Sequence, residues 1–152
     1  RPSPSWGGSC FPKDLVEVNN FYKKDELNLP IISNIIKSNE EHLNWTVEQL
    51  LSLKNNNNLE KIVLVGAAFK ENTDDLRNSP TLDIYKILND MGVQVSIFDT
   101  EIEVPNYNYF SSIEDLNEKS LIAIMYPLNN NLDKKLSDYS SQNSCIIFYP
   151  WN

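Results

Sequence analysis

The sequence predicts an α/β fold: a helical connector, then a small parallel sheet carrying helices. Three observations carry this. Lys61-Ile-Val-Leu-Val65 is an unbroken β-branched run, the pattern of a strand covered on both faces. A helical pattern from Ser79-Pro80 and a second strand over Val93 to Phe98 complete one βαβ unit, expected parallel and right-handed. Upstream of that unit, apolar residues keep helical spacing for more than twenty positions.

Taken in order, residues 1–9 hold three Ser, two Pro and two Gly and read as loop. Pro12 can sit in a first helical turn, where its missing N–H costs nothing, and starts a helix to about Lys24. Asn28-Leu-Pro30 is a second start. Ile32, Ile35, Ile36, Leu43, Val47, Leu50 and Leu51 then fall three or four apart up to about Lys54. Ser38-Asn-Glu-Glu41 interrupts that stripe, and a polar break in a buried stripe either faces solvent or does work. Asn55 to Asn58 reads as a polar hinge and divides the chain into 1–57 and 58–152. In the second unit Ser79 is the expected N-cap and Pro80 the first helical residue. Leu82, Tyr85, Leu88 and Met91 give that helix its apolar face, and Gly92 closes it. Leu121 to Met125 and Ser144 to Phe148 are further strands. Ser112 to Glu118 and Asn131 to Tyr139 are short helices between them. The whole reads as a Rossmann-like parallel sheet behind a helical connector.

With 152 residues, 41% of them hydrophobic, the chain can form one ordinary domain, or one domain and a piece of another. A net charge of −8 with no Lys/Arg run argues against nucleic acid as a partner. No apolar stretch approaches the ~20 residues a membrane helix needs, so no membrane is expected. The start, Arg1-Pro-Ser-Pro, is polar and does not read as a signal peptide. Cys10 and Cys145 lie far apart and form no CxxC pair, which points to a reducing cytoplasm. One His and no clustered Cys argue against zinc. The chain has no initiator Met, and a Gly-Gly-Ser-Cys motif comes almost at once, so a piece of something longer is expected.

Cys10 stands just before a predicted helix start. Helix N-termini carry partial positive charge, which favours the nucleophilic thiolate. Gly7 and Gly8 allow close backbone approach to a ligand. Lys13 and Asp14 put a cation and a carboxylate within a turn of the sulfur, a constellation suited to covalent catalysis. Each feature also has a plainer reading. Lys13 and Asp14 could form an exposed helix start, and Asp74, Asp75 and Arg77 a solvated, mutually paired loop. Cys145 reads as strand core, His42 as solvated, and Asp99 as a turn former.

Gly7-Gly-Ser-Cys-Phe-Pro-Lys-Asp14 resembles the active-site segment of the UDP-glucose/GDP-mannose dehydrogenase family. Independently, Val65-Gly-Ala-Ala-Phe-Lys-Glu-Asn-Thr-Asp-Asp-Leu-Arg-Asn-Ser-Pro80 resembles the loop opening that family's carboxy-terminal domain. The blocks stand in the family's order with a long helix between them. The resemblance implies oxidation of a sugar nucleotide at C6 to a carboxylate, with NAD as hydride acceptor. It implies Cys10 as the nucleophile and Asp14 as the group that positions or activates water. Lys13 and Arg77 would contact the cofactor. Trp6 and Gly7 would lie beside the sugar, and Phe69 and Lys70 would bind the nucleotide sugar. The long helix would be the family's central helix, where homodimers form.

No GxGxxG occurs in the chain. Met125-Tyr-Pro-Leu128 stands where the family has a Thr-Glu-Trp-like motif, and Phe148-Tyr-Pro-Trp-Asn152 where it has an Asp-x-Arg-Asn-like one. The expected function is therefore part of an NAD-dependent UDP-glucose 6-dehydrogenase, inactive alone. Other readings are a dehydrogenase of GDP-mannose or a UDP-amino sugar, and a non-enzymatic module that binds a nucleotide sugar or dimerises. An unrelated cysteine-dependent Rossmann enzyme would leave the Phe69-Lys70 block unexplained.

Overall fold

The computed structural model of the chain describes residues 3–24 and 30–151. Two helices come first, α1 (Phe11–Lys24) and α2 (Pro30–Asn56). The sheet then alternates with helices: β1 (Lys61–Val65), α3 (Pro80–Asp90), β2 (Val95–Phe98), β3 (Tyr109–Phe110), β4 (Ser120–Ile124), α4 (Asn130–Gln142) and β5 (Ile146–Phe148). A short 3-10 turn at Ile113–Asp115 precedes β4.

The strand order is β3-β2-β1-β4-β5, and every pairing is parallel. β1 is central, with Ile62 opposite Val95 on one side and Leu121 on the other. Its side chains alternate between two cores, as a pleated strand covered on both faces requires. Ile62 and Leu64 pack with Val47 and Leu50 of α2 and Leu82, Ile84 and Leu88 of α3. Val63 and Val65 pack on the opposite face with Phe98, Ile122, Ile124 and Leu136 of α4. The C-terminal half of α2 thus belongs to the sheet's core.

The expected α/β class and Rossmann-like sheet are what the structure shows, with differences of detail. Ser79 caps α3 only by position. Its hydroxyl makes no capping bond and donates instead to the Ala67 carbonyl at 2.6 Å. Met91 is not on the buried face of α3: it follows the helix and is 61% exposed. β2 begins at Val95 rather than Val93, because Val93 still belongs to the turn that Gly92 makes. The expected helix over 112–118 is only the 3-10 turn, since the backbone is already extended at Leu116. β3 carried no sequence signal, being two residues long. Cys145 is half-buried rather than core, one residue before the edge strand β5. At the expected hinge the chain turns: α2 ends at Asn56, Asn58 takes a positive φ of 52°, and the Leu59 N–H donates to the Lys54 carbonyl.

Candidate functional site

Cys10 is the residue immediately before α1, and its carbonyl accepts the Asp14 N–H at 2.9 Å, the first turn of that helix. The thiol is exposed and lies 3.7 Å from the Ser9 hydroxyl. It therefore sits at a helix N-terminus, where backbone N–H groups face a developing anion.

The loop before Cys10 is seated on the segment between β1 and α3. The Gly8 N–H donates to the Arg77 carbonyl at 3.1 Å, and the Asn78 side-chain amide donates to the Gly8 carbonyl at 2.8 Å. Gly7 packs so closely that an added Cβ would lie 2.0 Å from the Asn78 carbonyl oxygen. Gly8 has a φ of +88°, and an added Cβ there would meet the Phe69 ring at 2.8 Å. The two glycines are thus required by contact, and the two sequence motifs meet through them.

The structure brings Trp6, Gly7, Cys10, Phe69 and Arg77 into one neighbourhood. The Trp6 ring packs edge-on against Phe11, with centroids 5.0 Å apart. Arg77 is exposed and forms a two-point pair with Asp75, Nε to Oδ1 at 2.9 Å and Nη2 to Oδ2 at 2.9 Å. That hydrogen-bonded pairing holds Arg77 above its usual pKa, with Cys10 adding to the rise, and holds Asp75 below its own. The Asp75–Arg77 pairing expected of a solvated loop is present, yet it lies within electrostatic reach of the thiol.

The remaining candidates lie at the edges of this cluster. Lys70 is exposed, its Nζ 5.2 Å from the centroid of the Phe69 ring. Lys13 is exposed and pairs with Glu17 one turn along α1, at 3.6 Å. Asp14 is exposed on the same turn. His42 is exposed, stacked on Trp45. Asparagines 39 and 78, which hold the loop, lie in the polar break of the long helix and in the second motif, but the sequence assigned neither a role.

A second depression of about 140 Å³ opens at the carboxyl ends of β1, β2 and β4, lined by Gly66, Glu71, Asp99, Glu101 and Tyr126 among others. Ligands of open parallel sheets bind at this place. Here it does not fit a dinucleotide pyrophosphate. Gly66 lies under Tyr126, where an added Cβ would come within 2.5 Å of the ring. Asp99 is buried, its Oδ2 accepting the Ala67 N–H at 2.8 Å and its Oδ1 the N–H groups of Glu101 and Ile102. The turn-forming role expected of Asp99 is thus joined by a tie to the end of β1. Thr81 closes the same turn on the Gly66 carbonyl at 2.7 Å. Burial, then the charges of Asp99, Glu101 and Glu71, keep the Tyr126 phenol well above its usual pKa. The crevice thus carries acidic side chains and is partly filled by the Tyr126 ring.

Fold and site together define a parallel α/β protein that presents a thiol at a helix start against a glycine-seated loop. Residues 63–138 match the UDP binding domain of the UDP-glucose/GDP-mannose dehydrogenase family, and residues 1–41 match its central domain. The chain belongs to the UDP-glucose/GDP-mannose dehydrogenase family. It is 37% identical over 97 residues to a UDP-glucose 6-dehydrogenase of Rickettsia bellii, covering 63% of this chain and 22% of that one. It is 30% identical over 138 residues to a GDP-mannose 6-dehydrogenase of Azotobacter vinelandii, covering 91% of this chain and 30% of the relative. The chain therefore spans between about a fifth and a third of the length of the curated relatives it matches. In fold it is similar to a UDP-D-ManNAc dehydrogenase from Pyrococcus horikoshii, with a TM-score of 0.80 at 22% identity, covering 99% of this chain and 36% of that one. It is likewise similar to a GDP-mannose dehydrogenase from Pseudomonas aeruginosa, at TM-score 0.78 and 21% identity, covering 98% and 37% of the two chains.

Proposed function

We propose that the chain is the thiol-bearing and nucleotide-sugar-binding part of an NAD-dependent nucleotide-sugar 6-dehydrogenase, with UDP-glucose as substrate and UDP-glucuronate as product. The observation that supports this most is the seating of the Cys10 loop on the 77–78 segment through Gly7 and Gly8. It would bring the proposed nucleophile beside the cradle that would hold the sugar nucleotide. In this reading residues 1–57 carry the thiol and the central helix, and residues 58–152 form the UDP-sugar unit.

The Cys10 thiolate would add to the C6 aldehyde, forming the sulfur–carbon bond of a thiohemiacetal while the carbonyl oxygen takes a proton. The C6 alcohol would reach the aldehyde by loss of one hydride to NAD, and the thiohemiacetal would become a thioester by loss of a second hydride to a second NAD. Asp14, one turn along α1, would orient the water that then hydrolyses the thioester and frees the thiol. Lys70 would hold the diphosphate as a cation, with Phe69 shaping the same subsite. Trp6 and Gly7 would line the sugar. Lys13 and Arg77 would reach towards the NAD side of the thiol. The crevice at Tyr126 does not suit that cofactor, so the chain alone should not reduce NAD with UDP-glucose. Measurable reduction, followed as nicotinamide absorbance, would refute this.

The exposed Phe11, Val18, Phe21 and Tyr22 of α1 and Ile31 and Trp45 of α2 support a homodimer built on the central helix. Among the described residues no helix is long and apolar enough to cross a membrane. Two free thiols suit a reducing cytoplasm, where sugar-nucleotide chemistry would feed polysaccharide biosynthesis.

Calorimetric titration with UDP-glucose, UDP and GDP-mannose tests the central claim. The expected result is saturable binding that prefers the UDP ligands and weakens about ten- to a hundredfold in Lys70→Ala, the loss of one charge-assisted contact. Equal affinity for GDP-mannose would move the substrate assignment. Binding unchanged in Lys70→Ala would remove the cradle.

A further inference from the structure

The polar break in α2 has a division of labour. Ser38, Glu40 and Glu41 are exposed, whereas Asn39 is half-buried and faces the thiol loop. Its Oδ1 accepts the Trp6 N–H at 2.8 Å, and its Nδ2 donates to the Trp6 carbonyl at 3.1 Å. One planar amide thus grips both polar groups of a single residue. Only Asn and Gln offer a donor and an acceptor in such a group, and Gln would push the loop away by a methylene.

The grip is passed on towards the thiol. The Trp6 ring rests on Phe11, the residue after Cys10. Gly8, midway between, is held from the sheet side by Asn78 and the Arg77 carbonyl. Cys10 therefore follows a stretch clamped from α2 on one side and from the 77–78 segment on the other. We propose that Asn39 is a positioning residue, acting through the Trp6 backbone to hold Cys10 at the N-terminus of α1. The proposal rests on the reading of Cys10 as the nucleophile.

The test uses the 152-residue chain carrying Asn39→Ala, with Glu41→Ala as a control from the same break. Two quantities are read by mass spectrometry: hydrogen exchange over residues 5–10, and the rates at which Cys10 and Cys145 react with iodoacetamide in the same sample. Cys145, half-buried beside the edge strand β5, is the internal reference in the same sample, so the ratio of the two rates reads the change at Cys10. The wild-type ratio should favour Cys10. Asn39→Ala should speed exchange over residues 5–10 about tenfold, as expected for two lost hydrogen bonds, without speeding exchange in β1 or β4. It should shift the Cys10 to Cys145 ratio about threefold, because the released loop changes the access and orientation of the thiol that the Trp6–Phe11 contact sets. Glu41→Ala should change neither quantity. An unchanged ratio in Asn39→Ala, with or without faster exchange, overturns the positioning role. A wild-type ratio near unity sinks the nucleophile reading itself and the positioning role with it, while faster loop exchange in Asn39→Ala would still identify a structural clamp. The two failures are therefore separable.

Discussion

Replacing Gly7 by Ala tests how tightly the thiol loop is seated. The added Cβ would lie 2.0 Å from the Asn78 carbonyl oxygen and 3.0 Å from Cδ of Pro80. Both neighbours are rigid, one a backbone atom and the other a buried proline at the start of α3. The loop then either stays and is compressed, or lifts off by more than an ångström. Staying costs about 1–3 kcal/mol, the usual range for overpacking. Lifting breaks the Gly8 to Arg77 bond at 3.1 Å and the Asn78 to Gly8 bond at 2.8 Å. At roughly 0.5–1.5 kcal/mol each, that again comes to about 1–3 kcal/mol. For a chain of this size the melting temperature should fall by about 3–10 °C. Affinity for UDP-glucose should fall with it, because the displaced segment is the one proposed to line the sugar. Gly92→Ala is the control: φ is +73° there, but an added Cβ meets nothing within 4 Å. Only the backbone cost of about 1–2 kcal/mol remains, with no effect on binding. Thermal melts and calorimetry on both variants decide the matter. A Gly7→Ala protein that melts and binds like the wild type would show that the loop is not seated as described.

Two further substitutions probe the crevice at the strand ends. Tyr126 has a raised folded pKa, so the neutral phenol contributes stability that is fully present below about pH 10 and is lost as pH rises through the folded value. Urea midpoints should therefore decline above about pH 10 more steeply in the wild type than in Tyr126→Phe, and parallel profiles would contradict this. Asp99→Asn should destabilise by about 2–3 kcal/mol in urea titrations, since an amide cannot accept at both oxygens and one N–H loses its acceptor. A change below about 0.5 kcal/mol would mean that water replaces the carboxylate.

The sheet was legible because its strands obey a strong rule. Ile62, Val63 and Leu64 are all fully buried, as a short apolar run in a strand covered on both faces should be. The first turns of α1, α2 and α3, which hold Pro12, Pro30 and Pro80, were legible because proline is well placed there, although α1 starts one residue earlier, at Phe11. β3 was not legible, since Tyr109 and Phe110 gain strand geometry only from Ile97 and Phe98 beside them. Ser79 had the sequence of a cap, but its hydroxyl donates to the Ala67 carbonyl and accepts no N–H of the helix. The site divides in the same way. Cys10 and its glycines stand in a contiguous motif, whereas Asn39 acts across 33 positions of sequence and Asn78 across 70. The polar break around Asn39 was a local pattern, but its partner Trp6 could not be read from it.

α2 also serves as a ruler. Leu50 is locked into the sheet's core, while Asn39, three turns earlier on the same helix, holds the loop that carries the thiol. Along the axis the two lie about 16 Å apart, and each residue between them contributes about 1.5 Å of length and about 100° of rotation. One residue inserted between Asn39 and Val47 would leave both ends chemically intact but swing the amide away from Trp6. The spacing between the thiol loop and the sheet is thus encoded as a residue count, and a drifting sequence could keep every side chain of the candidate site and still lose it.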